Sequence, residues 1–159
     1  MLTHTEKYRL VEQALNYIPH VGLQGIQLER LEGEAMTLRL PYRQELVGNI
    51  DTGVIHSGVI TMLLDTALGC AALCSDQVPP TMTPTLDLRI DHLAMPEAGK
   101  DIFATSRIYK ATRRVLFIEG YAYCDNKEQP FARATGNFIL MPQLNLMTER
   151  SFNTKEAKS

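Results

Sequence analysis

The chain has 159 residues, 45% of them hydrophobic, and 16 Lys and Arg against 18 Asp and Glu give a net charge of −2. That length suits one domain with a real core, and a near-neutral balance without basic blocks leaves no electrostatic footprint for nucleic acid. Three cysteines are too few, and odd in number, for a disulfide framework.

The N-terminus lacks the apolar core and cleavage pattern of a signal peptide. Residues 5–18 place Leu10, Val11, Leu15 and Ile18 at helical spacing between charges, predicting an amphipathic helix that Pro19 stops. Two strands are predicted next, over 22–31 and 34–41, with Glu32-Gly33 as their hairpin turn. In the second, Met36, Leu38 and Leu40 alternate with Thr37 and Arg39, so one face is buried. Residues 42–56 read as a loop.

Ser57 to Cys74 reads as a helix apolar nearly all round, and such a helix is buried. Its length is also that of a membrane span, but Asp65 near its centre, His56 before it and the lack of flanking Lys or Arg weigh against that reading. Cys70 and Cys74, four apart on one helix face, have no further ligands at metal-site spacing. They read as small buried hydrophobes. Strands are predicted over 83–94, 101–111, 114–124 and 129–141, with Asp125–Glu128 as the last turn. The order is helix, two strands, a long apolar helix and four strands. It predicts an α+β plan, an antiparallel sheet of about six strands wrapped around one helix. The open sheet edges favour a dimer. A soluble, cytoplasmic protein is expected.

Asp65 is the only formal charge from Thr52 to Ser75. A buried carboxylate is costly unless it is bonded. Thr61 and Thr66 are candidate donors to it, and a catalytic role is the other explanation. At the helix start, Ser57 is a good N-cap, Gly58 allows close approach, and free N–H groups there polarise a carbonyl. Eight residues of helix separate Ser57 from Asp65, or ~12 Å at ~1.5 Å per residue. One carbonyl cannot touch both in one chain, so joint action requires a dimer.

These residues resemble a family. Asn49, then Gly53-x-x-His56-x-Gly58, then Leu64-Asp65-x-x-x-Gly69 is similar to the signature of hotdog-fold acyl-CoA thioesterases of the phenylacetate-degradation (PaaI-like) type. The stretch from Pro84-Thr85 to Pro96 resembles their first strand after the helix. Arg114-x-Leu116-x-x-Glu119 and Ala132-x-Ala134-x-Gly136-x-Phe138 resemble their last two strands. The chain is expected to form a single hotdog domain over 1–145, including the N-terminal amphipathic helix, with a polar tail over 146–159. The resemblance implies hydrolysis of an acyl- or aryl-acyl-CoA, with Asp65 as base or nucleophile, and a site shared across a homodimer or a dimer of dimers. Asn49 would orient the water or the carbonyl, His56 support the loop and the thioester, the backbone at Ser57 and Gly58 hold the oxyanion, and Thr85 position water. Lys110, Arg113 and Arg114 form a basic cluster suited to the phosphates of coenzyme A. No metal or redox cofactor is implied, since coenzyme A enters with the substrate. The family usually has Gly where Ser57 stands, which narrows the approach and keeps a non-catalytic acyl-CoA-binding module as the alternative. His92, beside Asp91, reads as a surface strand residue. No His–acid pair suited to a hydratase is visible.

Overall fold

A computed structural model describes residues 2–145 of the chain. The tail expected over 146–159 lies outside the described residues. Helix α1 runs His4–Tyr17 and opens on a capping box. The Glu6 N–H donates to Thr3 Oγ1 at 3.3 Å, and the Thr3 N–H donates to Glu6 Oε2 at 2.7 Å. Pro19 does end this helix, but it also starts another. Helix α2, Pro19–Gln24, has Pro at its first position, where a missing N–H costs nothing. The strand predicted from residue 22 therefore begins later, as β1, Gln27–Glu32. It pairs with β2, Ala35–Leu40, and the turn is Gly33-Glu34 because Glu32 faces Ala35.

The loop to residue 56 is more ordered than its composition predicts. It holds a 3-10 turn at Gln44–Leu46 and a small ribbon of β3, Val47–Asn49, and β4, Val54–Ile55. Helix α3 spans Ser57–Cys74, as read from the sequence. The strand expected over 83–94 is β6, Thr85–His92, and a short strand not expected from the sequence, β5, Thr81–Met82, precedes it on the other side of Pro84. Strands β7, Ile102–Ala111, β8, Val115–Tyr123, and β9, Ala132–Ile139, complete the main sheet. A last strand, β10, Met141–Asn145, turns away to pair with β5. The main sheet is antiparallel, in the order β1-β2-β7-β8-β9-β6, so β6 is an open edge.

Helix α3 lies against β2, β7 and β8 with α1 beside it. This is the hotdog arrangement, one long helix wrapped by one antiparallel sheet. Ile60, Leu63, Leu64, Ala67 and Leu68 are buried in this seat, which identifies a helix of membrane-spanning length as a core helix. Two glycines let it approach. A Cβ on Gly120 would sit 2.7 Å from Leu68 Cδ1 and 2.9 Å from Thr105 O, and one on Gly136 would sit 3.1 Å from Leu68 Cδ2. The buried Ser106 hydroxyl then donates to the Ala67 carbonyl at 2.8 Å, tying sheet to helix. At the far end Lys7 Nζ and Asp76 Oδ2, 2.8 Å apart, tie α1 to the residues after α3.

Complete burial of α3 does not hold within one chain. Ser57, Gly58, Thr61, Met62, Asp65, Thr66 and Gly69 form a stripe that is exposed or half-buried, because sheet and α1 cover only the opposite sides. Cys70 and Cys74 are buried free thiols, as expected, and burial pushes them up to about 12 and about 11. The glycine seat is testable. Gly120→Ala forces a methyl against the Thr105 backbone, which cannot yield as a side chain tip can. The expected loss is about 1–3 kcal/mol in urea unfolding, with the far-ultraviolet circular dichroism retained.

Candidate active site

The helix start is built around His56. It is the N-cap of α3, and its Nδ1 accepts the Gly58 N–H at 2.9 Å. Ser57 is thus the first helical residue and not the cap, because the imidazole occupies the place a serine hydroxyl would take. A ring nitrogen that accepts is unprotonated, so Nε2 carries the proton of the neutral ring. Glycines flank this ring on both sides. A Cβ on Gly48 would lie 2.9 Å from His56 Cα and 3.0 Å from its Cδ2, and one on Gly58 would lie 2.9 Å from Nδ1. The His56 N–H donates to Leu46 O at 2.9 Å, and His56 O accepts from Val59 and Ile60 at 3.0 and 3.4 Å. One first-turn donor remains, since the Ser57 N–H has no acceptor among the described residues. Gly58, also expected as an oxyanion donor, has its N–H engaged by His56.

Asn49 lies on the adjoining turn. Its Oδ1 accepts the Asp51 N–H at 2.9 Å, and its carbonyl accepts from Thr52 and Gly53 at 3.3 and 2.9 Å. The side chain is exposed and its Nδ2 is free among the described residues. Gly53 closes the turn at φ 70°. Three residues not singled out from the sequence hold this loop. The Tyr42 hydroxyl donates to Gly53 O at 3.0 Å, and the Tyr42 N–H donates to Asp101 Oδ1 at 2.7 Å. Asp101 Oδ2 in turn accepts from Arg39 Nε at 2.8 Å. Tyr42 and Asp101 are 59 residues apart, and no local spacing signals their meeting. Gly48, beside Asn49, was visible only as a loop glycine.

Asp65 sits two helical turns farther on, half-buried on the open stripe of α3. Neither donor expected from its own helix reaches it. Thr61 donates to Ser57 O at 3.1 Å and Thr66 to Met62 O at 2.7 Å, the back-bonding habit of helical threonines. Its partner is Thr85 at the start of β6, whose Oγ1 donates to Asp65 Oδ1 at 3.0 Å. Oδ2 stays free among the described residues. Lys110, Arg113 and Arg114 are exposed at the β7–β8 turn and form no ion pair among the described residues. Register links that turn to the same end of the sheet, since Leu116 faces Phe138 and Phe138 faces Thr85. His92 is exposed at the other end of β6.

One chain therefore holds two separate half-sites. Asn49, His56 and Ser57 gather at the helix start, and Asp65 and Thr85 pair ~12 Å along the helix. Residues 52–130 match the Thioesterase superfamily, a span that includes His56, Ser57, Asp65 and Thr85. Over 154 residues the chain is 30% identical to the medium/long-chain acyl-CoA thioesterase YigI of Salmonella typhimurium, covering 88% of this chain and 97% of that one. It belongs to the thioesterase superfamily. YigI of Escherichia coli is 29% identical over the same shares. A crystal structure of a Pseudomonas aeruginosa protein superposes with a TM-score of 0.77 and 36% identity, over 85% of this chain and 99% of that one. The chain is a thioester hydrolase with the hotdog fold, which favours the enzyme over the binding module. The PaaI-like subtype is narrower than these likenesses reach.

Two predictions follow from the supports of the helix start. His56→Ala removes the cap and should cost about 0.5–2 kcal/mol in denaturant unfolding, whereas His56→Asn, whose Oδ1 can accept the Gly58 N–H, restores most of it. The Tyr42 N–H, and then Arg39, hold the Asp101 carboxyl below its usual 3.8 against the opposing effect of burial. A lowered carboxyl stabilises the fold above that value, and the contribution is lost as pH falls through the depressed one. The stability gap between wild type and Asp101→Asn should be constant near neutrality and close below pH about 4. Thermal melts across pH 2.5–7 read this directly, and a gap that widens on acidification overturns it.

Proposed function

We propose that this protein hydrolyses medium- or long-chain acyl-CoA in active sites shared between two copies of the chain. The acyl class comes from the YigI relatives, which are named for it. The observation that carries the shared site is the pair of half-sites on one rigid helix, each lacking what the other has.

The open edge supports one way for two copies to meet. On β6, Leu86 is 55% exposed, and just beyond it Leu93 and Met95 are 57% and 77% exposed. An antiparallel two-fold pairing through the middle of β6 sets Thr85 of one copy opposite His92 of the other. The chain after His92 runs back toward the helix-start loop, where a Cβ on Gly53 would be 3.5 Å from Ala98 Cβ. Pairing at this edge thus carries the partner's Asp65 and Thr85 toward Asn49, His56 and Ser57.

In this reading Asp65 acts through its free Oδ2. It takes the proton from a water whose oxygen bonds the thioester carbon, or it attacks that carbon itself and water later releases the acid. The Ser57 N–H of the other copy holds the oxyanion, and the free amide of Asn49 orients the carbonyl or the water. The C–S bond then breaks and the coenzyme A sulfur takes up the proton. Thr85 fixes the other carboxylate oxygen, and His56 fixes the backbone that presents Ser57. Lys110, Arg113 and Arg114 meet the phosphates of coenzyme A. Three free thiols accord with a cytoplasmic location.

Thiol release from C6–C18 acyl-CoAs tests the reading. Asp65→Asn and Asn49→Ala, both folded and dimeric, should each lose at least ~100-fold and ~10-fold respectively in kcat. Co-expressed with separate tags, the two variants should regain activity in the mixed dimer, because one of its two sites is then free of both lesions. An Asp65→Asn enzyme as active as wild type overturns the role of Asp65. Mixed dimers no better than their parents overturn the shared site.

A further inference from the structure

We propose that Tyr42 is a positioning residue for this reaction, setting the Asn49–Gly53 turn through its hydroxyl. The inference rests on the shared-site reading and adds to it a residue that lies in neither half-site.

The turn presents little that could hold it. Asn49, Ile50, Asp51 and Thr52 are all exposed, with Ile50 at 82%. Its internal bonds, Asp51 N–H to Asn49 Oδ1 and Gly53 N–H to Asn49 O, close the turn on itself but do not fix it to the domain. The short β3–β4 ribbon holds the stems. The bond from Tyr42 OH to Gly53 O, 3.0 Å long, is the side-chain hydrogen bond among the described residues that joins the closing residue of the turn to the body of the protein. Tyr42 is well placed to anchor it. Its backbone N–H is held by Asp101 at 2.7 Å, and Asp101 is held by Arg39, whose strand lies inside the main sheet. The phenol therefore stands on a fixed base, one end on the sheet and the other on the exposed turn that carries Asn49.

The chemistry sets what loss of the hydroxyl does. An unpinned turn lets Asn49 drift, and displacements near 1 Å at a positioning group can cost up to ~100-fold. In the shared-site reading the acyl chain and the coenzyme A phosphates supply substrate binding, whereas Asn49 acts at the carbonyl or the water, so the effect falls on kcat and not on KM. Stability changes little, because one half-buried neutral hydrogen bond shifts the melting temperature of a domain this size by about 2–4 °C.

Tyr42→Phe removes the hydroxyl and keeps the ring. The expected result is about a tenfold fall in kcat with KM within about twofold, in a dimer whose melting temperature drops by no more than about 4 °C. Mixed dimers supply the readout that a merely structural role would not move. Paired with an excess of Asp65→Asn chains, each Tyr42→Phe chain contributes its intact Asp65 to a site whose helix start comes from the other copy. Activity per Tyr42→Phe chain then returns close to the wild-type value. Paired with an excess of Asn49→Ala chains, it stays low. Unchanged kcat in Tyr42→Phe, or relief by both partners or by neither, overturns the proposal. If Asp65→Asn and Asn49→Ala still complement each other in that case, the shared site stands and only Tyr42 is removed from it.

Discussion

The contact on which the rest depends is Leu68 resting in the hollow left by Gly120 and Gly136. It brings the helix close enough for Ser106 to bond the Ala67 carbonyl. A hydrogen bond to one residue and a side chain wedged at the next fix the helix in rotation as well as in height. That rotation decides which residues of α3 are covered. With Leu64, Ala67 and Leu68 turned to the sheet, Asp65 and Thr61 are carried onto the open side. The position of the carboxylate is thus set from beneath the helix, by residues on β7, β8 and β9.

The open side shows a second economy of placement. Thr61 and Thr66 spend their hydroxyls on the preceding turn of their own helix. Asp65 is left to a donor from another element, Thr85, and so the carboxylate is bound to the start of the edge strand. Anything that orders β6, such as a neighbouring strand, orders Asp65 with it. The helix start has the matching property. His56 satisfies the Gly58 N–H and leaves the Ser57 N–H open, so the serine stands at the very residue whose donor remains available.

Legibility in the sequence followed the range of the interaction. The bounds of α3 were readable because a mostly apolar run, with one formal charge, ends at polar residues on both sides. The alternation in β2 marked its buried face for the same reason, and Asp65 stood out as a lone charge. Helix α2 escaped because six residues carry too little periodicity to compete with a strand pattern, and Pro19 signals a stop as readily as a start. Thr61 and Thr66 looked like donors to Asp65 on spacing alone, but the carbonyl one turn back is a nearer acceptor. The cap was misassigned between Ser57 and His56 because histidine is an uncommon cap, and only the closeness of Gly48 and Gly58 makes room for its ring. Tyr42, Asp101 and Arg39 were invisible, since their meeting is a product of β2 pairing with β7.

The buried cysteines have a consequence for a protein that handles activated acyl groups. A thioester passes its acyl group to any accessible thiolate, and the thiolate, not the thiol, is the attacking form. Cys70 and Cys74 lie on the helix that also carries Asp65. Burial holds one near 12 and the other near 11, and it raises Cys124 as well. At neutral pH all three stay protonated and enclosed. The enzyme is thereby protected from being acylated by its own substrate.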